Sequence, residues 1–454
     1  MPCDFAAITQ RRGSKKMKHL KSNTFTAIFM LAWPAVLEQM LQTIVQYVDT
    51  AMVGRLGEEA TAAVNVTQSV SWLVYSIPGT VGIAVLSLIS QAYGSGDKDR
   101  IQKLSKQVFY LVLVVGVLMG FLCVGLSPFI PVWMGAEEKI QQDASMYFSI
   151  VSYCMVFRVS GILYGAAIRA IQDTKTPMFI NLLANLMNVV LNYLFIYGLG
   201  MGVKGAAFAT MISYSVSGCL MFVAYRRKEL LRYSFRSLKP EKSILKDIRS
   251  ISIPLLGSSI TSHMGYIVFA GLVASLGTTV FAAHSIAVTA EQIFYIAGYG
   301  LRTATSTLIG ASIGEKNSRK FREVIRLSVI VTTVMMCFSG GTLYLIAKPL
   351  MSVFTNSQRV VELGAMVLAM VALSEPFFGL MIVMEGVFYG TGKTKYVFVI
   401  ETFSMWCVRI LCTYICVHVF GLGLNAVWLC MIADNVCKAV LLSVPIVLKR
   451  VECE

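Results

Sequence analysis

The sequence predicts an all-α polytopic membrane protein. Twelve transmembrane helices are expected in two six-helix bundles, related by a pseudo-twofold axis along the membrane normal and separated by a central cleft. Three observations carry this expectation. The chain is 56% hydrophobic and only 14% charged, less charge than a soluble protein of its length would carry on its surface. Apolar runs of about 20 residues recur from end to end, the length that crosses a hydrocarbon core of roughly 30 Å. The second half of the chain also repeats the first.

The apolar runs are rich in Val, Ile, Leu, Phe and Met and broken by Gly and Pro, which fits helices and not the alternation of a membrane β-barrel. Spans are expected at about 26–53, 62–90, 107–133, 145–169, 177–199, 203–225, 250–276, 283–311, 326–354, 361–390, 395–419 and 422–448. The layout is a tail (1–25), a first lobe (26–225), a basic linker (226–249), a second lobe (250–448) and a C-terminal segment (449–454). The tail has no small-residue cleavage site before the first span, so it reads as a cytoplasmic segment and not as a signal peptide.

The net charge of +15 is distributed by side. With the N-terminus inside, 30 of the 39 Lys and Arg fall on inner segments and only five (Arg55, Lys139, Lys204, Lys348, Arg359) on outer loops. The other four, Arg158, Arg302, Arg409 and Lys438, fall within spans. This positive-inside asymmetry directs both termini to the cytoplasm and accounts for the basic excess without nucleic acid. The eleven cysteines lie mostly in apolar spans and read as small buried residues. No nucleotide-binding loop, catalytic triad or metal cluster is present, so neither an enzyme nor a cofactor is expected.

Sliding the chain against itself aligns Pro34 with Pro254, Leu56-Gly57 with Leu276-Gly277, and Ala62-Ala63 with Ala282-Ala283. Tyr75 meets Tyr295, Leu88-Ile89 meets Leu308-Ile309, and Gly94 meets Gly314. Six spans per repeat give both halves the same orientation. Substrate sites in such transporters lie at or near the repeat interface, and rocking of the halves alternates access.

Polar residues inside spans are costly and therefore candidates for function. Gln39, Gln42, Gln46 and Asp49 form one stripe of the first span, at spacings of three and four. Asn181, Asn185, Asn188 and Asn192 do the same on the fifth. At 1.5 Å per residue, Asn192 lies roughly 22 Å above the inner edge and Thr210 roughly 10 Å below the outer one, the level of Asp49. Together these groups offer hard oxygen ligands for an alkali cation, or a polar nest for a protonatable carboxyl group.

Four segments carry a resemblance over roughly 25–448: "VDTAMVGRLGEEATAAV" (48–64), the turn from Gly165 to Pro177, "NVVLNYLFIYGLGMGVKGAAFAT" (188–210) and "ATSTLIGASIG" (304–314). They resemble the multidrug and toxic compound extrusion family. The resemblance implies a Na⁺- or H⁺-coupled antiporter that exports amphipathic, often cationic, organic compounds across a prokaryotic plasma membrane. A monomer suffices for that mechanism, and membrane lipid and small-molecule drugs are the only partners it implies. By motif, the cation residues carried over are Asp49, Asn188, Asn192 and Thr210. Archaeal relatives have a second Asp where this chain has Asn192, which favours a monovalent cation such as Na⁺ over a two-acid proton relay. A related branch of the superfamily supplies the alternative, a lipid-linked oligosaccharide flippase, which would require a strongly basic cleft.

The second lobe does not repeat the cation residues: the positions equivalent to Asp49, Asn188, Asn192 and Thr210 are Phe269, Val408, Cys412 and Cys430. Its acids Glu291, Glu375 and Glu385 are candidates for attracting a cationic drug or for pairing with Arg302 or Arg409, whereas Glu401, Asp434 and Lys438 read as structural pairs. Glu375 precedes Pro376, which suggests a kinked helix. Gln42, Gln46, Tyr47, Trp72, Tyr75, Tyr266, Tyr295 and Tyr299 complete the expected cleft surface, where aromatic faces suit lipophilic cations.

Overall fold

The computed structural model describes residues 24–233 and 240–448. The basic tail 1–23, linker residues 234–239 and the C-terminal 449–454, which carry part of the expected charge asymmetry, lie outside the described residues. The described chain is helix and turn throughout. Ten helices are long and apolar enough to cross a membrane, and two bent helix pairs bring the total to twelve.

Spans one to three are Thr24–Gly54, Glu58–Ser95 and Lys98–Leu126. Span four is Glu138–Tyr153 followed by Met155–Ala170, span five Lys175–Gly198 and span six Gly202–Arg227. The second half repeats the set. Spans seven to nine are Lys242–Ala274, Thr278–Gly314 and Ser318–Phe354. Span ten is Gln358–Ala372 with Glu375–Thr391, span eleven Thr394–Val419 and span twelve Leu424–Val447.

Several helices outrun the apolar stretches that announce them. Span three begins at Lys98, nine residues before the expected 107, because Asp97 accepts a hydrogen bond from the Arg100 amide at 2.9 Å and starts the helix in a charged segment. It also ends sooner than expected, and Ile130–Trp133 forms a separate short helix. Span nine has the equivalent cap: Asn317 accepts from the Lys320 amide at 2.9 Å. Hydropathy sees the bilayer-crossing part of a helix, and capping extends it beyond that part.

Spans four and ten bend at equivalent positions, by 52° at Cys154 and by 56° at Leu373-Ser374. In each, a side chain binds the carbonyl three residues back: Cys154 Sγ donates to Val151 O at 3.1 Å and Ser374 Oγ to Val371 O at 2.8 Å. These local bonds compete with the helical ladder. Pro376 adds to the break in span ten, while span four breaks without a proline. Spans five and eleven both pass into π-helical turns, at Tyr193–Gly198 and at Ser404–Ile410 and Ile415–Val419.

The packing is duplicated as well. Span one packs on five, two on four, three on four, four on six and five on six. Seven packs on eleven, eight on ten, nine on ten, ten on twelve and eleven on twelve. The halves meet through one on eight, two on seven, and two on eight. At the last crossing, a Cβ on Gly94 would lie 2.0 Å from Ala311 O and one on Gly314 would lie 1.9 Å from Gln91 O. Gln91 and Ala311 are themselves repeat equivalents, as are Ser90 and Gly310, which touch each other. A local twofold axis therefore passes between Ser90 and Gly310, and glycine is what allows the backbones to approach so closely. The outward surface is apolar. Span three buries Val108, Val112 and Met119 and bares Leu118, Phe121 and Leu122, a pattern suited to lipid.

Candidate functional site

A cavity of about 820 Å³ lies inside the first bundle, lined by spans one, two, four, five and six, with His263 and Thr303 contributed by the second. It reaches from the Val53–Thr61 end of the first two spans to Glu38 and Arg169 at depth. Beyond that depth, spans two and eight close on each other at Gly94 and Gly314.

At the shallow end, span one supplies Asp49. Asn192 Nδ2 donates to Asp49 Oδ1, and the near end of the Asn188 amide lies 2.9 and 3.1 Å from the two carboxylate oxygens. A carboxylate only accepts, so either the amide nitrogen faces it or a proton or cation lies between two facing oxygens. With the nitrogen turned to Asp49, the other end of the Asn188 amide faces Thr210 Oγ1 at 3.5 Å. Asn188 and Asn192 are one helical turn apart, which is why a single helix presents both to one carboxylate. Tyr147 of span four lines the same cavity as Asp49 and Thr210. Asp49 makes no ion pair among the described residues. Carboxylate, amide and hydroxyl oxygens form a donor set that fits an alkali cation.

At the deep end, Glu38 is 4% exposed and binds both Arg169 Nη2 and Asn181 Nδ2 at 2.6 Å. Asn181 Oδ1 accepts from Ser217 Oγ at 3.1 Å. This network ties spans one, four, five and six beneath the cavity. Between the two ends lies Arg158, its guanidinium stacked 3.4 Å from the Tyr75 ring centroid and 4.0 Å from that of Tyr214.

Of the residues singled out by sequence, the structure brings Gln42, Gln46, Asp49, Trp72, Tyr75, Asn188, Asn192 and Thr210 to this cavity. Tyr47 instead reaches across to Thr289 O at 3.3 Å, joining spans one and eight. Tyr266, Glu291, Tyr295, Tyr299, Arg302, Glu375 and Glu385 belong to the second bundle and lie outside the cavity lining. There Glu385 pairs with Arg302 at 2.7 Å, and Asp434 pairs with Arg409 at 2.8 Å and Lys438 at 2.9 Å. Glu401 bonds Ser258, and Glu375 is buried with Oε2 unpartnered. Tyr295 packs against Tyr299 and Phe378.

Sequence reasoning passed over Glu38, Arg169 as its partner, Tyr147 and Tyr214. Glu38 carried the same signal as Asp49, an acid inside an apolar span. Tyr147 and Tyr214 carried none, because their roles arise from contacts between spans four and six.

The MatE family model matches residues 34–194 and 254–415, one stretch in each repeat. The chain is 28% identical over 421 residues to the "Probable multidrug resistance protein NorM" of Thermotoga maritima, covering 91% of this chain and 90% of that protein. It is 26% identical over 422 residues to the protein of the same description from Neisseria meningitidis, covering 91% of each. Among solved structures, a transporter of the MOP superfamily from Pyrococcus furiosus superposes with a TM-score of 0.88 at 23% identity, covering 94% of this chain and 95% of that one. An outward-facing multidrug resistance transporter of the MATE family gives 0.87 at 23% identity, covering 93% and 94%. Both share the fold. The two matched stretches begin at Pro34 and Pro254, the offset at which the sequence repeats, and the chain belongs to the MatE family of multi-pass membrane transporters.

Proposed function

We propose that the protein exports amphipathic organic compounds, cationic drugs among them, in exchange for Na⁺ or H⁺ through rocking of its two lobes. It would work in a prokaryotic plasma membrane with both termini in the cytoplasm and the shallow end of the cavity facing out. The observation that carries this reading is Asp49. It faces the interior of the bundle, shares its oxygens with Asn188 and Asn192, and among the described residues makes no ion pair with an arginine or lysine. A carboxylate so placed is free to change partners as the lobes move.

Coupling requires that cation and substrate favour different lobe arrangements, since a ligand bound equally to both shifts nothing. A cation at Asp49, Asn188, Asn192 and Thr210 would draw spans one, five and six together and narrow the cavity from which substrate leaves. The names of the Thermotoga and Neisseria relatives support a drug as substrate. The flippase alternative needs several free cations in the cleft, whereas of Arg158, Arg302 and Arg409 the last two are each engaged by a carboxylate.

The test is export of a fluorescent lipophilic cation, rhodamine B ethyl ester, from proteoliposomes with Na⁺ and pH gradients imposed separately. Movement driven by either gradient is expected. Movement indifferent to both, or movement of a lipid-linked oligosaccharide instead, would refute the proposal.

A further inference from the structure

Where the halves meet, spans two and seven do not close as spans one and eight do. The repeat pairs Thr80 with Gly300 and Leu256 with Val36. On spans one and eight these positions meet backbone to backbone: a Cβ on Gly300 would lie 2.5 Å from Val36 N. Between spans two and seven runs a groove of about 230 Å³ instead. Span seven lines it from Leu245 to Leu256, span two from Ile77 to Val81, and span three adds Leu111. It shares no lining residue with the first-lobe cavity. Ile253, on its rim, is 56% exposed, so the groove opens sideways onto the apolar outer surface.

The lining is apolar apart from Thr80, Ser252 and Arg249. Ser252 Oγ lies 3.5 Å from Thr80 O, and both residues are buried. Arg249 is exposed and, among the described residues, makes no ion pair. Asp247, the acid nearest to it in sequence, falls on the opposite side of the helix, whereas Lys242 and Lys246 share its side at spacings of four and three. Arg249 stands where the apolar stretch of span seven begins, and Leu256 lies about 10 Å further in. At the equivalent place on span one the residue is Phe29. Of two faces related by the repeat, the one that leaves a groove is the one that carries the cation.

We propose that this groove binds an anionic phospholipid, with one acyl chain against Ile77, Val81 and Leu256 and the phosphate on the Arg249 guanidinium. A guanidinium presents paired donors that match two phosphate oxygens. Basic pockets between spans on the cytoplasmic side hold such headgroups, and the orientation proposed above puts Arg249 on that side. A slot that faces hydrocarbon and has an apolar wall is filled by an acyl chain and not by water. Spans two and seven belong to different lobes, so the lipid lies across the boundary between them.

The test uses two photoactivatable lipids with the same diazirine acyl chain, one with a phosphatidylglycerol and one with a phosphatidylcholine headgroup. Each is mixed at equal mole fraction into phosphatidylcholine nanodiscs that hold the full-length protein. After irradiation, mass spectrometry reads labelling of residues 245–256, relative to the lipid-facing stretch 334–345 of span nine. The phosphatidylglycerol probe is expected to label the groove about fivefold more than its counterpart, the effect of one basic side chain at a bilayer surface. Arg249→Gln is expected to bring that ratio near one. Arg319→Gln, which removes an exposed cation from the start of span nine, is expected to leave it unchanged. Leu111→Trp keeps the charge and narrows the slot, and is expected to lower labelling of the groove by both probes. A ratio near one in the wild type overturns the proposal, and that result needs no variant to fold. Equal losses from Arg249→Gln and Arg319→Gln would reduce the effect to general surface attraction and overturn it as well. Undiminished labelling in Leu111→Trp would put the chain outside the groove, with the same consequence. These measurements need neither a drug nor an ion gradient, so their failure is separable from failure of export in proteoliposomes.

Discussion

Asp49→Asn is the substitution that bears hardest on the account. It keeps the shape of the side chain and an oxygen to accept from Asn192, so packing and the principal hydrogen bond survive. What it removes is one negative charge in a site whose remaining donors, Asn188, Asn192 and Thr210, are neutral. At about 4 Å and an effective dielectric constant near 20, attraction between unit charges is about 4 kcal/mol. That is close to a thousandfold in cation affinity, enough to empty the site at ordinary Na⁺ concentrations. The assay is gradient-driven efflux of rhodamine B ethyl ester from proteoliposomes, with thermal unfolding in detergent as the control for folding. Efflux is expected to lose its response to the gradient, while the unfolding temperature changes by no more than the effect of about 1 kcal/mol. Wild-type gradient-driven efflux by the variant would refute the reasoning.

Three further outcomes follow from the same structure. Glu38→Ala strands the Arg169 guanidinium beneath the cavity and should cost about 3–5 kcal/mol, read as a lowered unfolding temperature; an unchanged value would mean that Arg169 finds water or another partner. Gly314→Ala would force a Cβ to within 1.9 Å of Gln91 O and should loosen the crossing of spans two and eight by about 1–3 kcal/mol. A cysteine introduced near Gly94 should then label faster. Outside the spans, burial raises the Asp173 carboxyl pKa, but bonds from Lys228, Thr176 Oγ1 and the Thr176 amide outweigh it and hold it below the ordinary 3.8. A depressed carboxyl pKa stabilises the fold above 3.8 and ceases to do so as pH falls through the folded value. Asp173→Asn should therefore lower stability by about 1 kcal/mol at pH 7, and the gap from wild type should shrink below pH 3.8.

Much of the fold was legible because the bilayer imposes a simple rule on composition. The apolar stretches and the alignment of Pro34 with Pro254 located spans that the structure contains; the aligned Gly94 and Gly314 lie where spans two and eight cross closely, which the alignment by itself did not announce. Ends were less legible, since capping by Asp97 and Asn317 carries spans three and nine into charged sequence. The break at Cys154 was hidden because no proline or glycine announces it.

For the candidate site, helical spacing alone put Asn188 and Asn192 on one face, and the structure brings them to Asp49. It does not bring the second-lobe acids into that cavity. Glu385 and Arg302 lie 83 residues apart in sequence, and their pairing is set by how spans eight and ten cross. The same holds for Glu38 and Arg169, and for the sandwich of Arg158 between Tyr75 and Tyr214. Periodicity reports which residues share a helix face, not which faces meet.

The most direct measurement is difference infrared spectroscopy of the purified protein, wild type against Asp49→Asn, as Na⁺ or pH is varied. The account predicts a carboxyl band, absent from the variant, that shifts saturably with Na⁺ or protons over the range in which efflux depends on them. A band that stays fixed under both cations while transport proceeds would contradict it.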